Sequence, residues 1–579
     1  MDLAGIVALV AVVVVGVVTI VIGSLGVRVA RTTDDFLAAS RTVGTRANAA
    51  AISGQYLSAA SFLGVAGIVL KDGVDGLWYP VGFTAGYLAL LFFVAAPLRR
   101  SGAYTVPDFA EVRLDSSLLR TVTTWFVVLI GWLYLLPQLQ AAGLALTVLT
   151  TAPTWVGVVA VGLVVTASVT FGGMRSMTFV QAFQYWLKLT ALAVPALVLI
   201  AVFTLGPPRD DAPPPPAFTE ATTVEVSTPV TLRVSAPVDI GVRGEVDGAT
   251  VNGPVSWAPG LHTVDAGTSL RFPAGSAVPV VADADADGAS WSAPLTGFGE
   301  DGHSLLATYS LILALLLGTM GLPHVLVRFY TNPDGRAARR TTVVVLAMLG
   351  GFYLLPVVLG VLSRFYVPQL LVTGQTDAAV LLLPTAALPG WAGIALAALV
   401  AAGAFAAFLS TSSGLLLSVA GVLSTDLLPR RLGDFRIAAH VAGAVPIVAA
   451  LGATRLDFSL TVSLAFALAA STFCPLLVLG IWWKGLTDRG AVIGMLVGGG
   501  VAVAAVGSTL AGVAPPGWAG VLLARPAIVT VPLTFLVMVL VSRATPHRVP
   551  ANTGRTLLRL HAPERLGLGD ARRGARPSG

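Results

Sequence analysis

Cysteine and charge are scarce in this sequence. Its 579 residues include one cysteine, Cys474, and only 11% of the residues are charged, whereas soluble domains carry roughly 25%. A single cysteine excludes a disulfide framework and a cysteine metal cluster within the chain. Cys474 lies in an apolar segment, where it is expected to be a small packing residue.

Hydrophobic residues, by contrast, make up 55% of the chain, and the mean hydropathy is +0.84. An apolar stretch of about 20 residues is long enough to cross the hydrocarbon core of a bilayer as a helix. The sequence therefore predicts an all-α polytopic membrane protein. Thirteen spans are predicted, at 3–26, 47–70, 77–98, 119–150, 155–172, 178–205, 303–329, 341–363, 389–427, 436–453, 459–483, 490–513 and 526–543.

Basic residues predict the orientation of these spans, because they favour cytoplasmic loops. They follow spans 1, 3, 7, 9 and 11 and recur in the tail, which places the N-terminus outside and the C-terminus in the cytoplasm. The first span begins MDLAG without a basic n-region, so a retained span is predicted rather than a signal peptide. We expect a multi-pass protein of the cell (inner) membrane, surrounded by lipid. The basic residues are Arg28, Arg31, Arg41, Arg46, Arg99, Arg100, Arg113, Arg120, Arg328, Arg336, Arg339, Arg340, Arg430, Arg431, Arg436, Lys484, Arg489 and the tail from Arg543.

The positive charge is unevenly distributed. The formal net charge is +6, yet residues 206–302 contain 13 acidic and 4 basic side chains. The remaining chain is therefore strongly basic, as expected of a surface that faces anionic lipid and cytoplasm. Nucleic acid is not an expected partner.

Four regions are predicted: spans 1 to 6 in 1–205, an acidic insert in 206–302, spans 7 to 13 in 303–543, and a basic cytoplasmic tail in 544–579. The insert begins with the Pro-rich PPRDDAPPPPAF and continues with alternating apolar and polar residues, which predicts a β-rich extracytoplasmic module. Its DADADG stretch, residues 283–288, lacks EF-hand spacing. A solvated acidic loop is therefore favoured there over a Ca²⁺ site.

Two spans contain helix-breaking sequences. Span 2 has GQYLSAASFLG, from Gly54, and span 7 has GTMGLPH, from Gly318. Broken helices survive in a membrane only where they are buried in protein or line a cavity. Small residues also permit close helix packing, but the two breaks are five spans apart, as expected of an inverted five-plus-five repeat. We therefore predict a pair of discontinuous helices beside a binding site.

Span 9 contributes four consecutive hydroxyl residues, Ser410 to Ser413, in AFLSTSSG. Successive helical residues point about 100° apart, so only a neighbouring pair such as Ser410 and Thr411 can flank one point. Hydroxyls and carbonyls are hard ligands suited to small cations. The alternative is that these hydroxyls bond to their own preceding turn.

Other polar residues inside spans give weaker indications. His324 follows the second break and is a candidate to meet substrate or relay a proton, although a structural hydrogen bond is an equal alternative. Lys188, in QAFQYWLKLTA, could face the cavity or extend to the interface, and a structural role is favoured. Arg328 and Asp426 lie near predicted cytoplasmic span ends, as gate or anchor residues.

At these stretches the chain resembles the sodium:solute symporter family, and most closely its cation/acetate symporter branch. The resemblance implies thirteen helices, alternating access and a coupling Na⁺. Carried over by position, the sodium ligands are the carbonyls of Gly54, Leu57 and Ala407 and the hydroxyls of Ser410 and Thr411. The matching stretches are YLSAASFLG from Tyr56, DGLWYPVGF from Asp75, YTVPDFAEVRL from Tyr104, FGGM from Phe171, GTMGLPHVLVRFYT from Gly318 and LAFALAASTFCPLLVLGIWWKGLTDRG from Leu464.

The sequence departs from the branch at three places. Gln55 stands where the branch has an acidic residue, Ser410 and Thr411 match sodium-coupled members better than some acetate permeases, and the insert is longer than the branch usually has. The hydroxyl pair favours Na⁺ over H⁺.

The substrate is expected to be small, because Ala59, Ala60 and Ser61 make a narrow, weakly polar wall. The substrate-site candidates are Ser58, Ser61, Thr319 and His324. No basic residue is obviously placed to clamp a carboxylate, so recognition would rest on half-helix dipoles, Thr319 and His324.

These features predict a secondary active symporter that takes up a monocarboxylate such as acetate with Na⁺. Another small solute, such as proline or a related amino acid, is an alternative, as is H⁺ coupling; a transporter-like sensor is a third. No nucleophile with its base is assembled, so an enzyme is not expected.

Overall fold

A computed structural model describes residues 3–25, 44–172, 174–206, 216–218, 220–226, 229–282, 284, 288–295, 303–427, 432–452, 458–513, 515 and 517–563. The described residues up to 206 form nine α-helices: α1 Leu3–Leu25, α2 Thr45–Tyr56, α3 Val65–Asp72, α4 Trp78–Phe93, α5 Ala95–Arg100, α6 Val106–Leu114, α7 Ser117–Thr150, α8 Thr154–Phe171 and α9 Met174–Leu205.

The second part of the described chain contains the remaining helices. They are α10 Gly288–Ser292, α11 Ser304–Gly321, α12 Pro323–Phe329, α13 Gly335–Tyr366, α14 Leu370–Thr373, α15 Ala379–Ala387, α16 Trp391–Val422, α17 Leu432–Gly452, α18 Phe458–Trp482, α19 Asp488–Leu510, α20 Trp518–Ala524, α21 Ala527–Ala544 and α22 Thr553–His561.

Twelve helical stretches of the described chain are long and apolar enough to cross a membrane. The predicted count of thirteen is not confirmed, because the predicted span 2 is interrupted. Its first half, α2, is too short to cross alone, and its second half continues through a 3₁₀ turn at Gly73–Leu77 into α4. The multi-pass character of the chain follows from these twelve stretches, of which α1 is the most hydrophobic.

Both predicted helix breaks are present. The helical hydrogen bonding stops after Tyr56, and the chain resumes in a π-helical turn at Ala60–Gly64 that leads into α3. The second break lies at Leu322, which is extended between α11 and α12. Leu322 precedes Pro323, and the proline ring disfavours helical conformation in the residue before it.

The two breaks occupy equivalent places in the bundle, as an inverted repeat requires. α2 packs against α9, and α11 packs against α18, so each broken helix contacts the last helix of its own half. In both contacts the helix backbones approach closely at a glycine. A Cβ added to Gly54 would lie 2.2 Å from the Gln181 carbonyl oxygen, and a Cβ added to Gly318 would lie 2.5 Å from the Phe466 carbonyl oxygen. The glycines of the breaks therefore also serve close packing, the alternative considered for them.

The described residues between α9 and α10 form seven strands. They are β1 Thr222–Val226, β2 Val230–Val234, β3 Val238–Val246, β4 Ala249–Trp257, β5 Gly260–Val264, β6 Thr268–Phe272 and β7 Val280–Val281, in the order β1-β6-β3-β5-β2-β7 with β4 paired to β3. All the pairings are antiparallel. Alternate residues of β3 are buried, so the sheet has one face against its own core.

The sheet module is attached to the helical bundle by apolar and polar contacts. Its core includes Leu70 of α3 and Leu371 of α14. The Trp291 indole donates hydrogen bonds to the carbonyls of Val69 and Leu70, and the Arg364 guanidinium lies 4.7 Å from its ring centre. The three aspartates of the acidic stretch, Asp283, Asp285 and Asp287, and most of the Pro-rich segment lie outside the described residues, as do Arg28, Arg31 and Arg41.

A network of ions joins α6, α7 and the end of α16. Arg120 pairs with Asp108 and Glu111 and binds Asp426, which also accepts a hydrogen bond from Thr124. Asp426 thus connects the segment after α16 to α7. This contact is compatible with the predicted gate or anchor role, which stays a prediction.

Part of the predicted tail returns to the bundle. α22 packs against α5, and Arg113 of α6 lies beneath it, donating to the carbonyls of Gly480 and Trp483 at 2.7 and 3.0 Å. Burial lowers the pKa of Arg113 to about 10. The guanidinium remains charged at neutral pH and satisfies carbonyls around the end of α18.

Candidate functional site

The break after α2 exposes backbone carbonyls inside the protein. The carbonyls of a last helical turn lack partners within their own helix, and those of Gly54, Gln55 and Leu57 are met by side chains of other helices. Gly54 accepts from Ser410 and Lys188, Gln55 accepts from Thr411, and Leu57 accepts from Lys188. The unwound backbone is therefore satisfied by α9 and α16.

The hydroxyl pair of α16 faces this break. Ser410 Oγ lies 2.7 Å from the Gly54 oxygen and 3.2 Å from that of Ala407, and Thr411 Oγ1 lies 2.8 Å from the Gln55 oxygen. Of the two neighbours that follow, Ser413 bonds back to the Ser410 carbonyl, while the buried Ser412 hydroxyl has no partner. Of the four hydroxyl residues, Ser410 and Thr411 bond across to the break, in agreement with the expectation that only a neighbouring pair can flank one point.

The five predicted sodium ligands thus lie around one region, which we call the cation cluster: the carbonyls of Gly54, Leu57 and Ala407 and the hydroxyls of Ser410 and Thr411. Carbonyl and hydroxyl oxygens fit a small hard cation. Whether they hold sodium stays a prediction.

The Lys188 side chain ends inside the cation cluster. Its Nζ donates to the Gly54 carbonyl, to the Leu57 carbonyl at 2.7 Å and to Ser410 Oγ at 2.8 Å. Lys188 is 0% exposed, so the side chain does not reach the membrane interface. The sequence pointed to a polar residue on α9 but not to its position among the predicted ligands.

A second buried basic residue, Arg328, lies next to the cluster. Its guanidinium donates to the Gln55 side-chain oxygen at 2.9 Å, to Thr178 Oγ1 at 2.8 Å and to the Gln181 side-chain oxygen. Gln55 also donates to the His324 carbonyl at 2.8 Å. Arg328 was predicted near a span end, yet it is fully buried and connects the first break to the second.

Polar groups of α7 approach the other side of the first break. The Ala59 amide donates to the Gln138 side-chain oxygen at 3.0 Å, and Tyr134 donates to Ser58 at 3.3 Å. Tyr134 and Gln138 are one helical turn apart, so they present adjacent groups. The Gln138 amide nitrogen is buried and has no partner.

The His324 ring lies against Tyr134, with 5.5 Å between ring centres. Neither ring nitrogen has a hydrogen-bond partner, although the residue is 0% exposed. Buried polar groups are normally hydrogen-bonded, and exceptions require an explanation. The unpaired groups of Gln138 and His324 therefore mark a place where a polar ligand can bind.

The other two predicted substrate residues are already paired. Thr319 lies 2.9 Å from the Tyr56 hydroxyl, and Ser61 lies 2.9 Å from that of Tyr353. Of the four substrate-site candidates, Ser58 and His324 share the neighbourhood of Tyr134, while Thr319 and Ser61 are held by tyrosines. Tyr134 and Gln138 were missed from sequence; the one available signal was their spacing of four residues on a long apolar helix.

Comparison with known proteins gives consistent results. A model of the sodium:solute symporter family matches residues 36–212 and 288–498, leaving out the strand region. The chain is 30% identical over 540 residues to an uncharacterized symporter, YwcA, of Bacillus subtilis, covering 90% of both chains. It is 30% identical over 534 residues to a monocarboxylic acid transporter of Corynebacterium glutamicum, covering 88% of this chain and 86% of the other.

Among solved structures, the fold resembles a substrate-bound, outward-open Na⁺-coupled sialic acid symporter. The TM-score is 0.64 with 14% sequence identity, and the match covers 93% of this chain and 98% of that one. At this identity the likeness concerns the fold.

Proposed function

Because the chain belongs to the sodium:solute symporter family, and is a membrane transporter and not an enzyme, we propose that it takes up a short monocarboxylate such as acetate. Uptake is coupled to entry of a cation by alternating access. The unpaired Gln138 amide and His324 ring beside the first helix break carry this proposal. They offer hydrogen bonds without a full positive charge, which suits a small anion that must also be released.

Size supports the same substrate class. Ala59 and Ala60 follow the break, and the aromatic rings of Phe83, Tyr134 and Phe466 pack together beside it at 5.1 and 5.7 Å between neighbouring centres. A sugar needs many polar partners, which these residues do not offer. The Corynebacterium relative is a monocarboxylic acid transporter by name, which also favours this class.

The cation cluster is the proposed coupling site. Family membership supports Na⁺ as the coupling ion, and the five oxygen ligands are suited to it. H⁺ is a second candidate, and it is favoured by one observation: Lys188 Nζ already contacts three members of the cluster.

Uptake of labelled acetate into proteoliposomes tests this function. Inward gradients of Na⁺ and H⁺ are imposed together, and unlabelled acetate, pyruvate, propionate, proline or sialic acid is added as a competitor. Protein-free liposomes correct for acetic acid that crosses lipid unaided. We expect competition from the three monocarboxylates only. No acetate uptake, together with uptake of labelled proline under the same gradients, would assign an amino-acid substrate instead.

Variants locate the substrate site in the same assay. Gln138→Ala and His324→Ala are expected to raise the KM for acetate, because each removes a free hydrogen-bond donor. His440→Ala is the matched control, since His440 is exposed on α17. An unchanged KM in both site variants would remove these residues from the proposal.

A further inference from the structure

The Tyr87 hydroxyl is a further buried group without a hydrogen-bond partner. Tyr87 lies on α4 and is 0% exposed, and its oxygen bonds to nothing among the described residues. It shares this property with the Gln138 amide nitrogen and the His324 ring nitrogens, which carry the proposed function. An unpaired buried hydroxyl lowers stability, and such exceptions require an explanation.

Tyr87 packs on the residue at which the first broken helix ends. Its ring centre lies 4.6 Å from that of Tyr56, edge to face, and Tyr56 is the last residue of α2. The Tyr56 hydroxyl bonds to Thr319 at 2.9 Å, three residues before the second break at Leu322. The neighbouring Gly86 also packs on α11, because a Cβ there would lie 2.5 Å from Thr319 Cβ. Tyr87 therefore lies where the two broken helices approach each other.

Aromatic rings connect Tyr87 to the groups proposed to hold the carboxylate. Phe83 lies one turn before Tyr87 on α4, and its ring centre is 5.1 Å from that of Phe466. Phe466 contacts Tyr134 at 5.7 Å, and Tyr134 lies against His324. The unpaired groups of α4, α7 and α12 thus belong to one connected set of buried side chains.

The other tyrosines of this set have structural hydrogen bonds. Each bonds to a hydroxyl of the protein: Tyr56 to Thr319, Tyr134 to Ser58 and Tyr353 to Ser61. Removing any of these three phenolic oxygens would leave a partner unpaired. Tyr87 differs from them, because Tyr87→Phe breaks no hydrogen bond of the structure.

A simple carboxylate leaves the Tyr87 hydroxyl without a partner. A carboxylate has two oxygens, and both are acceptors. Gln138 and His324 can each donate to one of these oxygens. The rest of an unsubstituted acid such as acetate or propionate is apolar. Tyr87 reaches the site from α4 through Tyr56, whereas Gln138 lies on α7, so we assign Tyr87 to a different atom of the substrate.

We propose that Tyr87 is a specificity-determining residue, and that the preferred substrate is a 2-hydroxy or 2-oxo monocarboxylate. The inference rests on the proposed function: the carboxylate lies with Gln138 and His324, and the Tyr87 hydroxyl donates to the oxygen on carbon 2. An acid without that oxygen binds more weakly, because it leaves Tyr87 buried and unpaired. A site built to bond a substrate oxygen rejects an analogue that lacks it for the same reason.

Competition in proteoliposomes containing the full chain tests this inference. Labelled pyruvate is the transport probe, because a stronger acid crosses lipid less readily in its neutral form. Its uptake is measured under inward gradients of Na⁺ and H⁺ with increasing unlabelled lactate, pyruvate or propionate. These acids share a three-carbon chain, and all three are anions at neutral pH. Their inhibition constants are determined for wild type, for Tyr87→Phe and for the matched control Tyr309→Phe, since Tyr309 is exposed on α11.

We expect lactate and pyruvate to inhibit wild type and Tyr309→Phe about 3- to 10-fold more strongly than propionate. This is the change in affinity that one hydrogen bond between uncharged groups produces. Tyr87→Phe should be inhibited by propionate as wild type is, and should lose the preference for the other two acids.

Three outcomes would overturn the inference. The first is equal inhibition of wild type by all three acids, which would show that the oxygen on carbon 2 is not recognised. The second is a preference that persists unchanged in Tyr87→Phe. The third is an equal loss for all three acids in Tyr87→Phe, since Tyr87 would then contact the carboxylate or only support the fold.

Failure of the inference is distinguishable from failure of the proposed function. Wild type that takes up pyruvate and is inhibited equally by propionate refutes the role of Tyr87 and leaves monocarboxylate symport intact. No accumulation of labelled pyruvate or labelled acetate by wild type refutes the symport itself, and the inference with it. Should Tyr87→Phe fail to fold, the wild-type inhibition constants of lactate and propionate still decide whether the oxygen on carbon 2 is recognised.

Discussion

At the scale of single residues, position within the hydroxyl run of α16 decides what each side chain does. Ser410 bonds to Gly54, Ala407 and Lys188, whereas Ser412, two residues later and equally buried, bonds to nothing. The two serines share residue type, helix and burial. They therefore form a matched pair for testing the cation cluster.

Ser410→Ala removes a proposed ligand of the coupling cation, and a hydrogen-bonding contact to a charged group is worth roughly 1.5–3 kcal/mol. Since about 1.4 kcal/mol corresponds to a factor of ten, we expect pyruvate uptake to fall by about tenfold or more. Ser412→Ala should leave uptake near wild type, because it removes an unpaired hydroxyl. Initial uptake rates in proteoliposomes measure both, and equal rates in the two variants would contradict the assignment of Ser410.

Residue-scale prediction from sequence succeeded where a spacing rule applied. Helical geometry limited the contact to a neighbouring pair, the family resemblance pointed to Ser410 and Thr411, and both hydroxyls reach the break. The position of the Lys188 side chain could not be predicted from the sequence. A lysine in an apolar helix can extend to the membrane interface, form structural hydrogen bonds or contribute to a binding site. Only the packing of α9 on α2 places its Nζ among the carbonyls.

At the scale of elements, the broken helix α2 depends on close contact with α9. A Cβ at Gly54 would lie 2.2 Å from the Gln181 carbonyl oxygen, too short for any real contact. The helices must therefore separate if any side chain replaces this glycine. The same separation would move the Gly54 carbonyl away from Lys188.

We expect Gly54→Ala to lower the thermal stability of the detergent-solubilised protein and to abolish concentrative uptake. Overpacking typically costs about 1–3 kcal/mol. The control is Gly350→Ala in α13, where no atom lies within 4 Å of the added Cβ. A glycine-to-alanine change inside an unobstructed helix stabilises by up to about 1 kcal/mol. Equal melting temperatures for the two variants would show that the α2–α9 contact is looser than described.

The strand module contains a pH-sensitive pair. Asp247, at the turn between β3 and β4, accepts hydrogen bonds from His262 Nδ1 and from the Thr263 amide, both in β5. Burial opposes the charged form of His262, but hydrogen bonds to the Ala258 carbonyl and Asp247 outweigh it and raise its pKa. Burial likewise opposes the charge on Asp247, and the bonds from His262 and Thr263 lower its pKa overall.

The sign of the pH dependence follows from these directions. A raised His262 pKa contributes stability that is complete below its unfolded value, about 6.5, and is lost as pH rises through the folded value. The lowered Asp247 pKa contributes stability that is lost as pH falls through its folded value. The pair therefore stabilises the turn most in mildly acidic solution, at pH values between the folded pKa of Asp247 and the folded pKa of His262.

Hydrogen exchange of the full chain measures this effect. The opening free energy of β5, corrected for intrinsic exchange, should be higher in wild type than in His262→Asn at about pH 5.5, by roughly 0.2–1 kcal/mol as for exposed pairs. At about pH 8 the two opening free energies should be nearly equal. A difference that grows toward alkaline pH would contradict the pairing.

Element-scale prediction worked best at the helix breaks. The Gly and Pro residues of GTMGLPH predicted the interruption that lies at Leu322. The number of spans was harder to predict from the sequence. One predicted span is divided into α2 and α3, and α3 continues through a short turn into α4. Span prediction counts apolar residues along the sequence, whereas the continuity of a helix depends on where its backbone unwinds in the folded protein.

At the scale of the whole molecule, the two halves repeat one packing arrangement. α2 meets α9 as α11 meets α18, and Arg328, just past the second break, bonds to Gln55 in the first. The order of the breaks along the sequence predicted this relationship. The side chains that join the halves were not predictable, because they are far apart in sequence and meet only in the folded bundle.

The central claim is that monocarboxylate entry is coupled to a cation at the cluster formed by Gly54, Leu57, Ala407, Ser410 and Thr411. The most direct measurement follows labelled pyruvate in proteoliposomes under inward gradients of Na⁺ and H⁺. Wild type should accumulate pyruvate above the outside concentration, and Ser410→Ala/Thr411→Ala should behave like protein-free liposomes. Equal accumulation by wild type and the double variant would contradict the claim.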